Sequence, residues 1–143
     1  MSARLSQSLS GPPPIELLGL GPGLTPSGDD LLCGALVVLR AIGAADASGD
    51  LHAAIAAVAP SATSPLSGAF LRAAAEGCGS AGLHNIIISL IKNEPIESDI
   101  DVLARIGHTS GWDGLAGAAI VLQAFSTRGR DAAPSSSTKL PSS

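Results

Sequence analysis

Aromatic side chains are nearly missing from this chain, which has no Tyr, one Trp and two Phe in 143 residues. Base stacking would find almost no platforms, which argues against a nucleic-acid partner. The charge balance argues the same way: 8 Lys+Arg against 12 Asp+Glu leave a formal net charge of -4, the reverse of a nucleic-acid binder. Charged residues are scarce overall, at 14%, while hydrophobic residues reach 45%, a composition that excludes wholesale disorder. Cysteine is also scarce. Cys33 and Cys78 belong to no CxxC pair and make no disulfide framework, so they read as two free thiols in a reducing cytosol. Long apolar runs are absent. Leu31–Leu39 ends at Arg40 and Gly114–Phe125 spans about a dozen residues, short of the ~20 that cross a bilayer. No signal peptide is visible in residues 1–14, which are polar and then proline-rich. The expectation is a cytoplasmic protein with no membrane association. With so few rings, its core must be built from Ala, Leu, Ile, Val and Gly.

The remaining residues read as one helical domain. Residues 1–14 end in Gly11-Pro12-Pro13-Pro14 and read as a flexible leader; residues 127–143, rich in Ser with Pro134 and Pro141, read as a disordered tail. Between them, residues 15–126 show helical periodicity throughout. A first helix follows Ser27 as N-cap and runs to about Ile42, closed by Gly43. A second carries the stripe Leu51, Ala54, Ile55, Val58 and stops before Pro60. A third has Ser64 as N-cap and Pro65 in its first position, with Gly77 after its end. A fourth places Leu83, Ile86, Ile87, Leu90 and Ile91 on one face. A fifth spans about Asp99–Ile106. A sixth runs from about Gly111 to Phe125. No strand pair with hairpin chemistry is present. The fold expected is an all-α, single-domain bundle of about six helices, with the two most apolar ones, the first and sixth, at the centre.

Those two helices open on one repeated frame. Ser27-Gly28-Asp29-Asp30-Leu31-Leu32-Cys33-Gly34-Ala35 matches Ser110-Gly111-Trp112-Asp113-Gly114-Leu115-Ala116-Gly117-Ala118 as S-G-x-D-x-L-x-G-A, 83 residues apart. Part of this is ordinary helix chemistry. Ser followed three residues later by Asp resembles a capping box. Gly inside a helix costs roughly 1 kcal/mol against Ala, which close helix–helix contact offsets, so Gly34 and Gly117 are expected to touch the partner helix. Capping leaves other features unexplained: Gly directly after Ser in both copies, Asp29 beside Asp30, and His108-Thr109 before Ser110. Upstream lies Gly19-Leu20-Gly21-Pro22-Gly23-Leu24-Thr25-Pro26, a glycine-rich loop that feeds a helix start and could present N–H groups to an anion. It is neither a Walker loop, since no Lys follows, nor a dinucleotide fingerprint.

The two starts are therefore expected to converge on one pocket for a small anionic metabolite. Its lining would come from Gly21, Gly23, Thr25, Ser27, Gly28, Asp29 and Asp30 on one side, and from His108, Thr109, Ser110, Gly111 and Asp113 on the other. The carboxylates of Asp29, Asp30 and Asp113 would suit a hard cation such as Mg²⁺, or could accept the N–H groups of a substrate amide. His52 and His84 read as solvated or partly buried surface histidines, Cys78 as a loop thiol, and Arg72 and Arg105 as scattered single charges.

The block Gly19–Gly34, with Gly107–Gly117 and the intervening Thr63-Ser64-Pro65-Leu66-Ser67 and Leu71-Arg72-Ala73-Ala74, resembles the AllH-like proteins, which are related to a subunit of oxamate carbamoyltransferase. The resemblance spans about Leu17–Phe125 and corresponds to the C-terminal half of that family. It implies a part in carbamoyl transfer between carbamoyl phosphate and oxamate, in purine (allantoin) catabolism, alongside other enzyme subunits. A homo-oligomer remains open. So do two alternatives: a non-catalytic module that binds a metabolite or metal, and a structural helical partner.

Overall fold

The computed structural model of the chain describes residues 13–105 and 110–131. Among these it is all-helical. A 3₁₀ turn at Ile15–Leu17 precedes six α-helices: α1 Ser27–Ala41, α2 Ala45–Ala62, α3 Pro65–Ala75, α4 Ala81–Lys92, α5 Glu97–Ala104 and α6 Ser110–Asp131.

The helix ends follow from their sequence. Ser64 caps α3 by accepting from the Ser67 N–H, with Pro65 in the first position, and Ser80 caps α4 by accepting from the Leu83 N–H. Gly43, Gly77 and Asn93 adopt positive φ after α1, α3 and α4. Each lets the next N–H reach back across the last turn, Ala44 to Leu39, Cys78 to Ala73 and Glu94 to Ser89. Two expected boundaries move. Pro60 does not stop α2 but lies inside its last turn, because a proline there deletes one backbone bond while Thr63 N–H still reaches the Ala59 carbonyl. The sixth helix continues past Phe125 to Asp131, so residues 127–131, assigned to the tail, are helical; the Thr127 hydroxyl bonds the Gln123 carbonyl one turn back. The remainder of the tail, 132–143, and leader residues 1–12 lie outside the described residues.

α1 is the centre of the fold. Leu32, Leu36, Val37, Val38 and Leu39 are all essentially inaccessible. Its main partner is α6, followed by α3 and α2. Close approach of α1 to α6 requires glycine at two places. A Cβ on Gly34 would stand 1.8 Å from the Gly114 carbonyl oxygen, and one on Gly117 would stand 1.9 Å from the Leu31 carbonyl oxygen. In the repeated frame, Gly34 corresponds to Gly117 and Leu31 to Gly114. The eighth position of each copy thus presses on the fifth position of the other, and the two copies pack reciprocally.

α6 itself is not enclosed. It buries Gly111, Gly114, Gly117, Ala118 and Val121, but Trp112, Ala116, Ala119, Ile120 and Gln123 form an exposed face. The low charge of α6 suggested enclosure; its small residues serve one contact seam instead, and no further helix of the described residues covers the outer side. α4 differs similarly. Leu83, Ile86 and Ile87 are buried, whereas Leu90 and Ile91 are exposed.

Candidate functional site

Ser27 does not cap α1. The N-cap is Pro26, which has no side-chain donor or acceptor to offer, and Ser27 is exposed within the first turn. The loose N–H groups are satisfied by backbone: Asp29 and Asp30 both donate to the Pro26 carbonyl, and Gly28 donates to the Leu20 carbonyl. A Cβ on Gly28 would lie 1.9 Å from the Leu17 carbonyl oxygen, so this glycine admits the loop against the helix.

The glycine-rich loop does hold an anion, and it is the protein's own. Asp29 is fully buried. Its Oδ1 accepts from the Gly19 N–H at 2.8 Å, and its Oδ2 accepts from the Ser67 hydroxyl at 2.6 Å and from the Thr63 hydroxyl. One carboxylate therefore ties the loop, the end of α2 and the start of α3 to α1. With three protein donors Asp29 is engaged in holding the fold together. Thr63 and Ser67, its partners, belong to the segment that carries the family resemblance but are not among the expected pocket residues.

Asp30, one residue on, points about 100° around the helix and meets different surroundings. It forms part of the wall of a cleft of about 410 Å³ between α1, α3, α4 and the start of α6. Ser110 and Gly111 stand on the same wall, with Cys33, Cys78 and Phe70 elsewhere around it. The Oδ2 atoms of Asp30 and Asp113 are both buried without a hydrogen-bond partner among the described residues. Burial pushes the Asp30 carboxyl above the ordinary carboxylate range; the nearby Ser110 side chain pulls the other way, and the neighbouring charges of Asp113 and Asp29 add to the rise. Cys33 is pushed up to about 12, first by burial and then by Asp30 and Asp29, so at neutral pH it is an inert thiol.

The structure thus joins part of the expected pocket. Asp30, Ser110 and Gly111 share the cleft, with Asp113 close to Asp30. Gly21, Gly23, Thr25, Ser27, Gly28 and Asp29 do not line it. The loop folds over the helix start instead, through positive φ at Gly19, Gly21 and Gly23. His108 and Thr109 lie outside the described residues. Among the described residues no Lys, Arg or His lines this cleft. Among the described residues no three metal-binding side chains come together. The Asp30–Asp113 pair suits at most a Mg²⁺ ion that keeps most of its water shell.

An all-helical domain built on a duplicated S-G-x-D start, with an unpartnered carboxylate on a cleft, is the class this geometry defines. Residues 17–122 match the family model described as oxamate carbamoyltransferase subunit AllH, and the chain belongs to that family. No solved structure matches the chain. No helix among the described residues is long and apolar enough to cross a membrane.

Proposed function

We propose that the chain works as a helical subunit of an oxamate carbamoyltransferase-like complex and that its α1/α6 cleft receives the amide end of the carbamoyl acceptor. The family supports the subunit role. The observation that carries the site is the Asp30 Oδ2, buried on the cleft wall with no partner among the described residues. A carboxylate in that state accepts an N–H. In carbamoyl transfer the acceptor nitrogen forms a bond to the carbamoyl carbon, phosphate leaves that carbon, and the nitrogen loses a proton. Asp30, whose proton affinity burial has raised, takes that proton. Ser110, on the same wall, is placed to orient the carboxylate.

The test is steady-state kinetics of the complex assembled with its other subunits, comparing the wild-type chain with Asp30→Asn. The expected result is a fall in kcat of at least a hundredfold together with a higher KM for oxamate, and an unchanged KM for carbamoyl phosphate. Normal turnover by the assembled variant would overturn the reading. A second reading rests on the paired orphan oxygens of Asp30 and Asp113, which would hold a hydrated Mg²⁺ for a non-catalytic binding role. Mg²⁺ titration of the isolated chain separates the two: binding lost in both Asp30→Asn and Asp113→Asn favours the metal.

A further inference from the structure

A second cleft, of about 400 Å³, lies between the C-terminal half of α2 and α3. Its charge is opposite to that of the first. Among the described residues the ionisable side chains on its wall are His52 and Arg72, with no Asp or Glu. Its hydroxyls are already engaged: Thr63 donates to Asp29, and Ser64 donates to the Leu24 carbonyl. Recognition of an anion in this cleft therefore falls to Arg72 and His52.

Two details sharpen the chemistry. The His52 Nε2 is shut off from solvent and has no hydrogen-bond partner among the described residues. Such a group is costly to leave unmatched, and a ligand or a turn of the ring would satisfy it. The other detail is Pro60, which sits inside α2. Proline has no N–H, so the carbonyl of Ala56, four residues earlier and on the cleft wall, receives no helical bond from it. The cleft combines a permanent cation, an imidazole and a backbone carbonyl that lacks its usual helical donor.

We propose that this cleft is a second ligand site, for a small oxyanion that also carries a hydrogen-bond donor, such as hydrogen phosphate or an α-hydroxy carboxylate. The oxyanion sits on Arg72 with His52 beside it, and the ligand's own O–H or N–H meets the Ala56 carbonyl. Neither a plain carboxylate nor a fully deprotonated dianion uses all three groups. The site stands apart from the Asp30 cleft and does not depend on the role proposed there.

Calorimetry on the full chain tests this with four probes: inorganic phosphate and lactate, which carry a donor, and sulfate and acetate, which do not. The expected result is that lactate binds at least fivefold more tightly than acetate, and phosphate at least fivefold more tightly than sulfate. The tighter of phosphate and lactate then identifies the oxyanion. Arg72→Gln, an exposed change on α3, weakens all four at least tenfold. Pro60→Ala returns an N–H to the Ala56 carbonyl and suits the helix, so it abolishes the preference for donors and leaves acetate affinity unchanged. Asp30→Asn leaves all four affinities as they were. Absence of binding by phosphate and lactate, insensitivity to Arg72→Gln, or a donor preference that survives Pro60→Ala would each overturn the proposal. Circular dichroism confirms that each variant is folded.

Discussion

At the third position of the repeated frame, the first copy carries Asp29 and the second carries Trp112. Asp29 is fully buried and saturated by three donors, whereas Trp112 is half in solvent. At the fourth position both copies carry Asp, and both side chains hold a buried oxygen without a partner among the described residues. At the eighth position both carry Gly, pressed onto the other copy's backbone. A shared frame therefore has three kinds of position. One is a packing requirement common to both copies, one brings two carboxylates together, and one is free to diverge according to what surrounds each helix start. Similarity between the copies reflects their contact with each other; the difference reflects the loop and α3, whose donors bond Asp29 in the first.

The largest expected effect falls on the divergent position. Asp29→Ala strands the Gly19 N–H and the hydroxyls of Thr63 and Ser67, and should cost about 3–5 kcal/mol by urea denaturation. Trp112→Ala at the matching position should cost about 1 kcal/mol or less. Similar losses in the two variants would erase the asymmetry between the copies.

Next comes the shared packing position. Gly34→Ala and Gly117→Ala each drive a methyl into a carbonyl of the opposite helix, and each should cost about 3 kcal/mol. Gly49, inside α2 with open space around it, is the control: Gly49→Ala should stabilise by about 0.5–1 kcal/mol. If only one of the two seam substitutions destabilised the protein, the packing would not be reciprocal.

The smallest effect concerns Asp30 and is read from the pH dependence. Its carboxyl binds a proton more tightly in the folded chain than the ordinary value of 3.8. Above that value the unfolded chain has lost a proton that the folded chain retains. Stability therefore falls as pH rises from there to the raised folded value, and then levels off. Asp30→Asn should remove this decline, measured as stability across pH 4–7, whereas Trp112→Ala should leave it in place. A decline that persists in Asp30→Asn would assign it to another carboxyl.

Much of the fold was legible because its punctuation is local. Gly43 and Gly77 close helices at positive φ, and Ser64-Pro65 opens one, all readable within a few residues. The α1–α6 contact was legible because glycine inside an apolar helix demands a close neighbour. The role of Asp29 was not, because Thr63 and Ser67 lie 34 and 38 residues away and carry no spacing signal. Asp29 and Asp30 look alike in the sequence and separate only when the helix turns one toward the core and the other toward the cleft. The conjunction of His52 and Arg72 was equally hidden, since each comes from a different helix and reads singly as a surface residue. The enclosure expected for α6 failed for a related reason: low charge in a helix made of Ala and Gly signals a thin contact seam as readily as a buried rod.

The seam between Gly34 and Gly117 joins segments 83 residues apart. Every other helix lies within the loop that this contact closes. Closing so long a loop early is entropically unfavourable, so local pairs such as α4 with α5 form first and the seam forms late. During synthesis α1 leaves the ribosome long before α6 exists to pack on it. For that interval the most deeply buried helix of the chain has no partner for its glycine face, and the neighbouring α2 and α3 are the first elements able to cover its apolar side chains.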